Sequence, residues 1–137
     1  MDAELKYILC IDDEQDILEV AKMSLETVGE FNVTSCGSGK EGIRRAEELK
    51  PDVILLDVMM PAMDGPNTLK TLRATPALAS IPVIFMTAKV QPSEVADYIA
   101  LGAIGVIAKP FDPMALSKDV QALWKAFQQK RGLDSTT

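Results

Sequence analysis

The chain has 137 residues, which is enough for one domain with a single buried core but not for two. A formal net charge of -6 argues against a nucleic-acid surface, and no apolar run approaches the roughly 20 residues of a membrane span. Histidine is absent, which excludes an imidazole base or zinc ligand from this chain. Because the first residues are acidic where a secretory signal would be basic, we expect a cytoplasmic protein that contacts no membrane.

The first half of the chain predicts two strands and two helices in alternation. An apolar run over 7–11 predicts the first strand, which leads into Asp12 and Asp13. The first helix is predicted to stop at Gly29 and to bury an apolar stripe comprising Ile17, Val20, Ala21, Leu25 and Val28. A short strand over 31–36 follows. A capping-box pattern then opens the second helix, in which Ile43, Ala46 and Leu49 are predicted to face inward.

The second half predicts three more strands, each leading into a polar residue. The strand over 53–56 leads into Asp57, the strand over 82–86 into Thr87, and the strand over 104–108 into Lys109. Helices are predicted over about 66–74, around 95–101 and after 112, and the last of them is predicted to end at Gly132. We therefore predict one domain over 1–132 and a flexible C-terminal tail over 133–137.

Strict alternation of buried strands and amphipathic helices is typical of a doubly wound α/β fold with a five-stranded parallel sheet. Right-handed crossovers leave few strand orders, and the order 2-1-3-4-5 places the ends of strands one and three side by side. Ligands of such sheets bind beyond the carboxyl ends of the strands. We therefore expect Asp12, Asp13, Asp57, Thr87 and Lys109 to share one rim of the sheet.

This combination of side chains suits a divalent cation and a phosphoryl group. Two carboxylates about 5 Å apart repel by roughly 3 kcal/mol at an effective dielectric constant near 20, so the cluster needs a cation or a proton. Mg²⁺ fits an open rim of one or two carboxylates. Asp57 stands alone at its strand end and is our candidate nucleophile, whereas Asp12 and Asp13 are paired as metal ligands would be. Thr87 and Lys109 can contact phosphoryl oxygens.

Four segments resemble the signature of receiver domains of two-component response regulators, in an order and spacing that span about 6–129. They are Ile11-Asp12-Asp13-Glu14, Leu56-Asp57-Val58-Met59-Met60-Pro61-x-Met63-Asp64-Gly65, Met86-Thr87-Ala88 and Ala108-Lys109-Pro110-Phe111. The resemblance implies a flavodoxin-like (βα)5 fold with the strand order 2-1-3-4-5. It also implies a cis bond between Lys109 and Pro110.

For the site, the resemblance implies that Asp57 takes a phosphoryl group from a phosphohistidine of a sensor histidine kinase or a histidine phosphotransfer protein. It implies Mg²⁺ bound by Asp12, Asp13, Asp57 and the backbone carbonyl of Met59, with Thr87 and Lys109 contacting the phosphoryl group. Such a domain is a signalling phospho-acceptor rather than an enzyme, although it promotes its own phosphorylation and dephosphorylation. The resemblance further implies that phosphorylation changes the binding surface for a downstream effector, and we expect a monomer or a phosphorylation-dependent dimer.

Two positions refine this expectation. Val106 stands where receivers commonly carry an aromatic residue that moves together with the threonine, so the output change should depend on Thr87 and the loop over 88–91. The resemblance also implies that Met59 and Lys89, two positions past Asp57 and Thr87, flank the path of the hydrolytic water, and because Met59 is apolar we expect slow self-dephosphorylation.

Other functions remain open from the sequence alone. The first is a Mg²⁺-dependent phosphatase with an aspartate nucleophile, although Met59 occupies the place where such enzymes usually carry a second acid. A flavin or nucleotide binder is disfavoured because no glycine-rich loop follows the first strand. A receiver that has lost its switch and serves as a scaffold is disfavoured by the complete set of site residues.

Overall fold

The computed structural model describes residues 4–136, in which five strands alternate with five helices. Strands β1 to β5 cover Tyr7–Ile11, Asn32–Cys36, Val53–Asp57, Val83–Thr87 and Gly105–Ala108. Helices α1 to α5 cover Gln15–Thr27, Gly39–Leu49, Gly65–Ala74, Pro92–Ala100 and Leu116–Thr136. All strand pairs are parallel and the sheet order is β2-β1-β3-β4-β5. The predicted fold class and strand order are confirmed.

Two apolar layers, one on each face of the sheet, form the core. Every residue of β3 and β4 is buried, because parallel strands at the centre of such a sheet are covered on both sides. Alternate residues of β1 enter opposite layers: Ile8 packs in the layer that contains residues of α1 and α5, and Leu9 in the layer with residues of α2 and α3. This two-sided burial holds the strand ends in fixed relative positions.

The buried stripe of α1 differs from the predicted one. Ala21 and Leu25 are buried as expected, and Leu18 joins them, but Val20 and Val28 are 40% and 44% exposed. Successive helical residues are about 100° apart, so Val20 lies at the border of the stripe that Ala21 centres. In α2 the predicted inward residue Leu49 is likewise 41% exposed, at the last turn of the helix.

Helix α5 continues past Gly132, where the sequence predicted its end, and reaches Thr136. A glycine inside a helix costs only about 1 kcal/mol relative to alanine, so a single glycine does not have to stop one. The predicted helix end was therefore wrong for 133–136. Thr137 lies outside the described residues, and the flexibility of the tail stays a prediction. Over 4–136, no helix is both long enough and apolar enough to cross a membrane.

Candidate functional site

The rim at the carboxyl ends of the strands brings the predicted site residues together. Ile11 pairs with Leu56, so Asp12 and Asp57 follow at neighbouring positions beyond β1 and at the end of β3. Thr87 ends β4, and the amide of Lys109 donates to the carbonyl of Thr87 at 2.9 Å. The strand order therefore assembles residues that are up to 97 positions apart in the chain.

Lys109 connects the two buried carboxylates. Its Nζ donates to Asp12 Oδ2 at 2.6 Å and to Asp57 Oδ1 at 3.0 Å. Asp12 is fully buried and Asp57 is 3% exposed, so these charges have little water to solvate them. The Lys109-Pro110 peptide bond is cis, as the resemblance implies.

The electrostatic environment of Asp57 reflects two opposing influences. Burial raises its pKa to about 6, the hydrogen bond from Lys109 opposes this rise, and the charge of Asp12 adds to it. For Lys109, burial lowers the pKa, but hydrogen bonds to Asp12 and Asp57 outweigh that effect and leave the pKa raised. Near neutral pH the ammonium is therefore charged, and it faces an ionised Asp57.

The second carboxylate oxygen of Asp57, Oδ2, differs from Oδ1, which accepts a hydrogen bond from Lys109. Asp57 Oδ2 is buried and has no hydrogen-bond partner among the residues the structure describes. Asp12, Asp13, Glu14 and Asp57 each offer a carboxylate oxygen, and these oxygens all lie within 4.8 Å of one another. Carboxylate oxygens on an open rim are the donors that Mg²⁺ prefers, because it retains several waters. The residues present therefore fit a magnesium ion.

Met59 and Thr87 lie beside this cluster in different ways. The amide of Met59 donates weakly to Asp57 Oδ1 at 3.4 Å, and its side chain is 68% exposed. The contribution of its carbonyl as a metal ligand stays a prediction, as does slow dephosphorylation. Thr87 is buried, and its hydroxyl accepts from the amide of Lys89 at 3.1 Å within its own loop rather than bonding Asp57 or Lys109.

Sequence reasoning assigned no role to two residues that the structure places at or near the site. Glu14 belongs to the acidic cluster, and its position directly after Asp12-Asp13 was the available signal. Tyr98 of α4 packs on Phe85 of β4 with ring centroids 5.2 Å apart, in the core layer that also contains Val106. An aromatic ring from α4 thus packs on β4 two residues before Thr87, and no local pattern in the sequence indicated this contact.

The loop after β3 depends on Gly65, the first residue of α3. A Cβ at this position would lie 2.5 Å from the backbone oxygen of Asp57 and 2.9 Å from Cα of Val58. Backbone atoms cannot move aside as a flexible side chain can. We expect Gly65→Ala to lower the free energy of unfolding by about 2–3 kcal/mol, measured by urea denaturation.

Gly37→Ala is the matched control, since a Cβ there meets no atom of the described residues within 4 Å. This variant should stay within about 0.5 kcal/mol of the wild type. Equal stability losses in the two variants would contradict the close packing of α3 on the Asp57 strand end.

In this site a lysine that follows one strand bridges carboxylates at the ends of two adjacent parallel strands. This arrangement is typical of α/β domains that bind phosphoryl groups at the carboxyl end of the sheet. Residues 8–121 match the model of the response regulator receiver domain. The chain belongs to this family and is a receiver domain of two-component response regulators.

Relatives and solved structures agree with this assignment. The alkaline phosphatase synthesis transcriptional regulatory protein PhoP of Bacillus subtilis is 36% identical over 118 residues, which cover 86% of this chain and 48% of that protein. The DNA-binding response regulator MtrA of Mycolicibacterium smegmatis is 33% identical over 89% of this chain and 52% of its own length. The chain thus spans about half the length of these curated relatives.

Among solved structures, the chemotaxis protein CheY4 of Vibrio cholerae superposes with a TM-score of 0.80 at 29% identity. The match covers 88% of this chain and 99% of that one. A phosphatase is not needed to explain the site.

Proposed function

We propose that Asp57 is the phospho-acceptor, that it is loaded from a phosphohistidine on a histidine kinase or phosphotransfer protein, and that Mg²⁺ assists. The observation that supports this assignment is that Asp57 Oδ2 is buried and has no hydrogen-bond partner within residues 4–136, while Oδ1 of the same carboxylate accepts from Lys109 Nζ. Both carboxylate oxygens of Asp12 already accept hydrogen bonds, from Lys109 and from the amide of Glu14. Asp57 therefore has the free oxygen that Asp12 lacks.

In the transfer step, Asp57 Oδ2 attacks the phosphorus, a P–O bond forms, and the P–N bond to the partner's imidazole breaks. This chain has no histidine, so the phosphohistidine must belong to the partner. In this proposal Lys109 neutralises the acyl phosphate, and Thr87 donates its hydroxyl to a phosphoryl oxygen. When bound by Asp12, Asp13, Asp57 and the Met59 carbonyl, Mg²⁺ would supply positive charge against the phosphoryl oxygens. In this proposal the domain is a signalling phospho-acceptor rather than an enzyme, and it promotes its own phosphorylation and dephosphorylation.

The surface that changes is expected to include α4. The Thr87 hydroxyl now accepts from the Lys89 amide, and a hydroxyl turned toward a phosphoryl group would release that loop. Helix α4 follows the loop and contains no fully buried residue, so few contacts resist its displacement. Tyr98 is its main aromatic contact with the sheet.

We expect beryllofluoride with Mg²⁺, a stable analogue of the phosphoryl group, to change amide hydrogen exchange over 88–101. The measurement compares free and analogue-bound protein by mass spectrometry, and α2 provides the internal reference. Unchanged exchange in α4 would contradict a switch that works through Thr87 alone, with valine rather than an aromatic residue at position 106.

We further propose that this domain acts in the cytoplasm through a protein effector, as a monomer or a phosphorylation-dependent dimer. The relatives include proteins named as DNA-binding regulators, but a net charge of -6 makes this domain a poor surface for phosphate backbones. Contact with nucleic acid is therefore not expected through these residues.

The test is the intact mass of the protein after incubation with acetyl phosphate, with and without Mg²⁺. We expect a gain of one phosphoryl group that depends on the metal. A protein that gains no phosphoryl group from this donor or from a phosphorylated histidine kinase would contradict the proposal.

A further inference from the structure

Glu14 precedes α1 as its N-cap residue, but its side chain makes no capping hydrogen bond. An N-cap side chain stabilises a helix by accepting a hydrogen bond from an amide of the first turn, and the Glu14 carboxylate accepts none. The backbone at Glu14 is nevertheless tied to the site, because its amide donates to Asp12 Oδ1 at 2.9 Å. The side chain is 63% exposed, and one of its oxygens belongs to the acidic cluster.

The position of the Glu14 carboxylate points to the cation rather than to Lys109. One of its oxygens lies within 4.8 Å of carboxylate oxygens from all three aspartates. Its distance to Lys109 Nζ is 3.8 Å, whereas Lys109 makes its short contacts, 2.6 and 3.0 Å, with Asp12 and Asp57. Glu14 is therefore only weakly engaged by the ammonium.

The charge of the cluster is unbalanced. Four carboxylates face one ammonium, so the formal charge is -3 when all are ionised. The buried Asp57 Oδ2, unpartnered within the described part of the chain, is a second and independent sign that a positive ligand belongs here.

We propose that Glu14 is a fourth carboxylate of the cation site and raises its affinity for a divalent cation. This inference rests on the proposed function, in which Mg²⁺ binds the aspartates, and it adds a residue to that site. Being exposed, Glu14 acts through its charge and through solvent, not as a buried ligand.

The test is isothermal titration of Mg²⁺ into the full chain. Glu14→Gln should weaken Mg²⁺ binding about three- to tenfold, the effect of one unit charge on a divalent cation across a few Å of screened solvent. Glu26→Gln removes the same charge from an exposed position on α1. Because Glu26 lies about 18 Å further along the helix at 1.5 Å per residue, its effect should stay below about twofold.

A second pair of variants separates the direct role from one through Lys109. Glu14→Gln should weaken Mg²⁺ binding by a similar factor when introduced into Lys109→Met. A loss that disappears in that background would overturn the inference, as would equal affinities of Glu14→Gln and Glu26→Gln. A wild-type protein that binds no Mg²⁺ would contradict the proposed function itself, whereas normal wild-type binding with an unaffected Glu14→Gln would contradict only the role of Glu14.

Discussion

Asp57→Asn is expected to abolish the Mg²⁺-dependent gain of a phosphoryl group from acetyl phosphate. An amide has nearly the shape of the carboxylate but no anionic oxygen to attack phosphorus. Asp57 is 3% exposed, and its Oδ1 is held by Lys109, so a substitution of the same shape leaves the surrounding backbone in place. The measurement is intact mass, with thermal unfolding to verify that the variant is folded.

Asp16→Asn is the matched control for this prediction. Asp16 lies exposed in the first turn of α1, so this variant also loses one carboxylate but should gain the phosphoryl group as the wild type does. A metal-dependent gain that persists in Asp57→Asn would place the acceptor on another residue and would remove the argument based on the free Oδ2.

The sequence predicted the rim well because its logic is topological. Once the apolar runs are taken as parallel strands, their carboxyl ends must meet at one edge, and the residues that follow must meet with them. Asp12, Asp57 and Lys109 could therefore be grouped without knowledge of a single distance. The same argument does not depend on where each helix begins or ends.

Helix details were predicted less well because they depend on packing. Whether Val20 or Leu18 faces the core is a rotation of α1 that its neighbours decide, since either choice keeps a helical period. Gly132 disfavours a helix only weakly, and α5 continues through it to Thr136. The contact of Tyr98 with Phe85 joins two elements whose relative position no local pattern specifies.

The sequence also could not predict which hydrogen bonds each carboxylate oxygen of the cluster accepts. The motif places three aspartates and a lysine together, but only the structure shows that both oxygens of Asp12 accept hydrogen bonds, whereas Asp57 Oδ2 has no partner within residues 4–136. The difference between the two carboxylates that supports Asp57 as the proposed nucleophile therefore lies in their hydrogen-bond partners. Lys109 is central to the metal-free site because it donates hydrogen bonds to both Asp12 and Asp57.

Lys109→Met is expected to destabilise the metal-free protein and to tighten Mg²⁺ binding. Without the ammonium, Asp12 and Asp57 remain as neighbouring buried carboxylates, and we expect the free energy of unfolding near neutral pH to fall by about 3 kcal/mol. The pKa of Lys109 is raised, so its contribution is fully present below the ordinary pKa of lysine and is lost only as the pH rises above it. Urea denaturation without divalent cations measures this loss.

Mg²⁺ should reverse much of that loss, because in the proposed site the metal is bound by the same carboxylates that the ammonium contacts. The ammonium repels an incoming divalent cation, and its removal should tighten Mg²⁺ binding by about tenfold or more. Added Mg²⁺ should then stabilise Lys109→Met more than the wild type, since ligand binding to the folded state adds to its stability. Lys118→Met, which removes an exposed lysine of α5, should change neither quantity. If Lys109→Met bound Mg²⁺ no more tightly than the wild type, the ammonium and the cation would not be competing for Asp12 and Asp57.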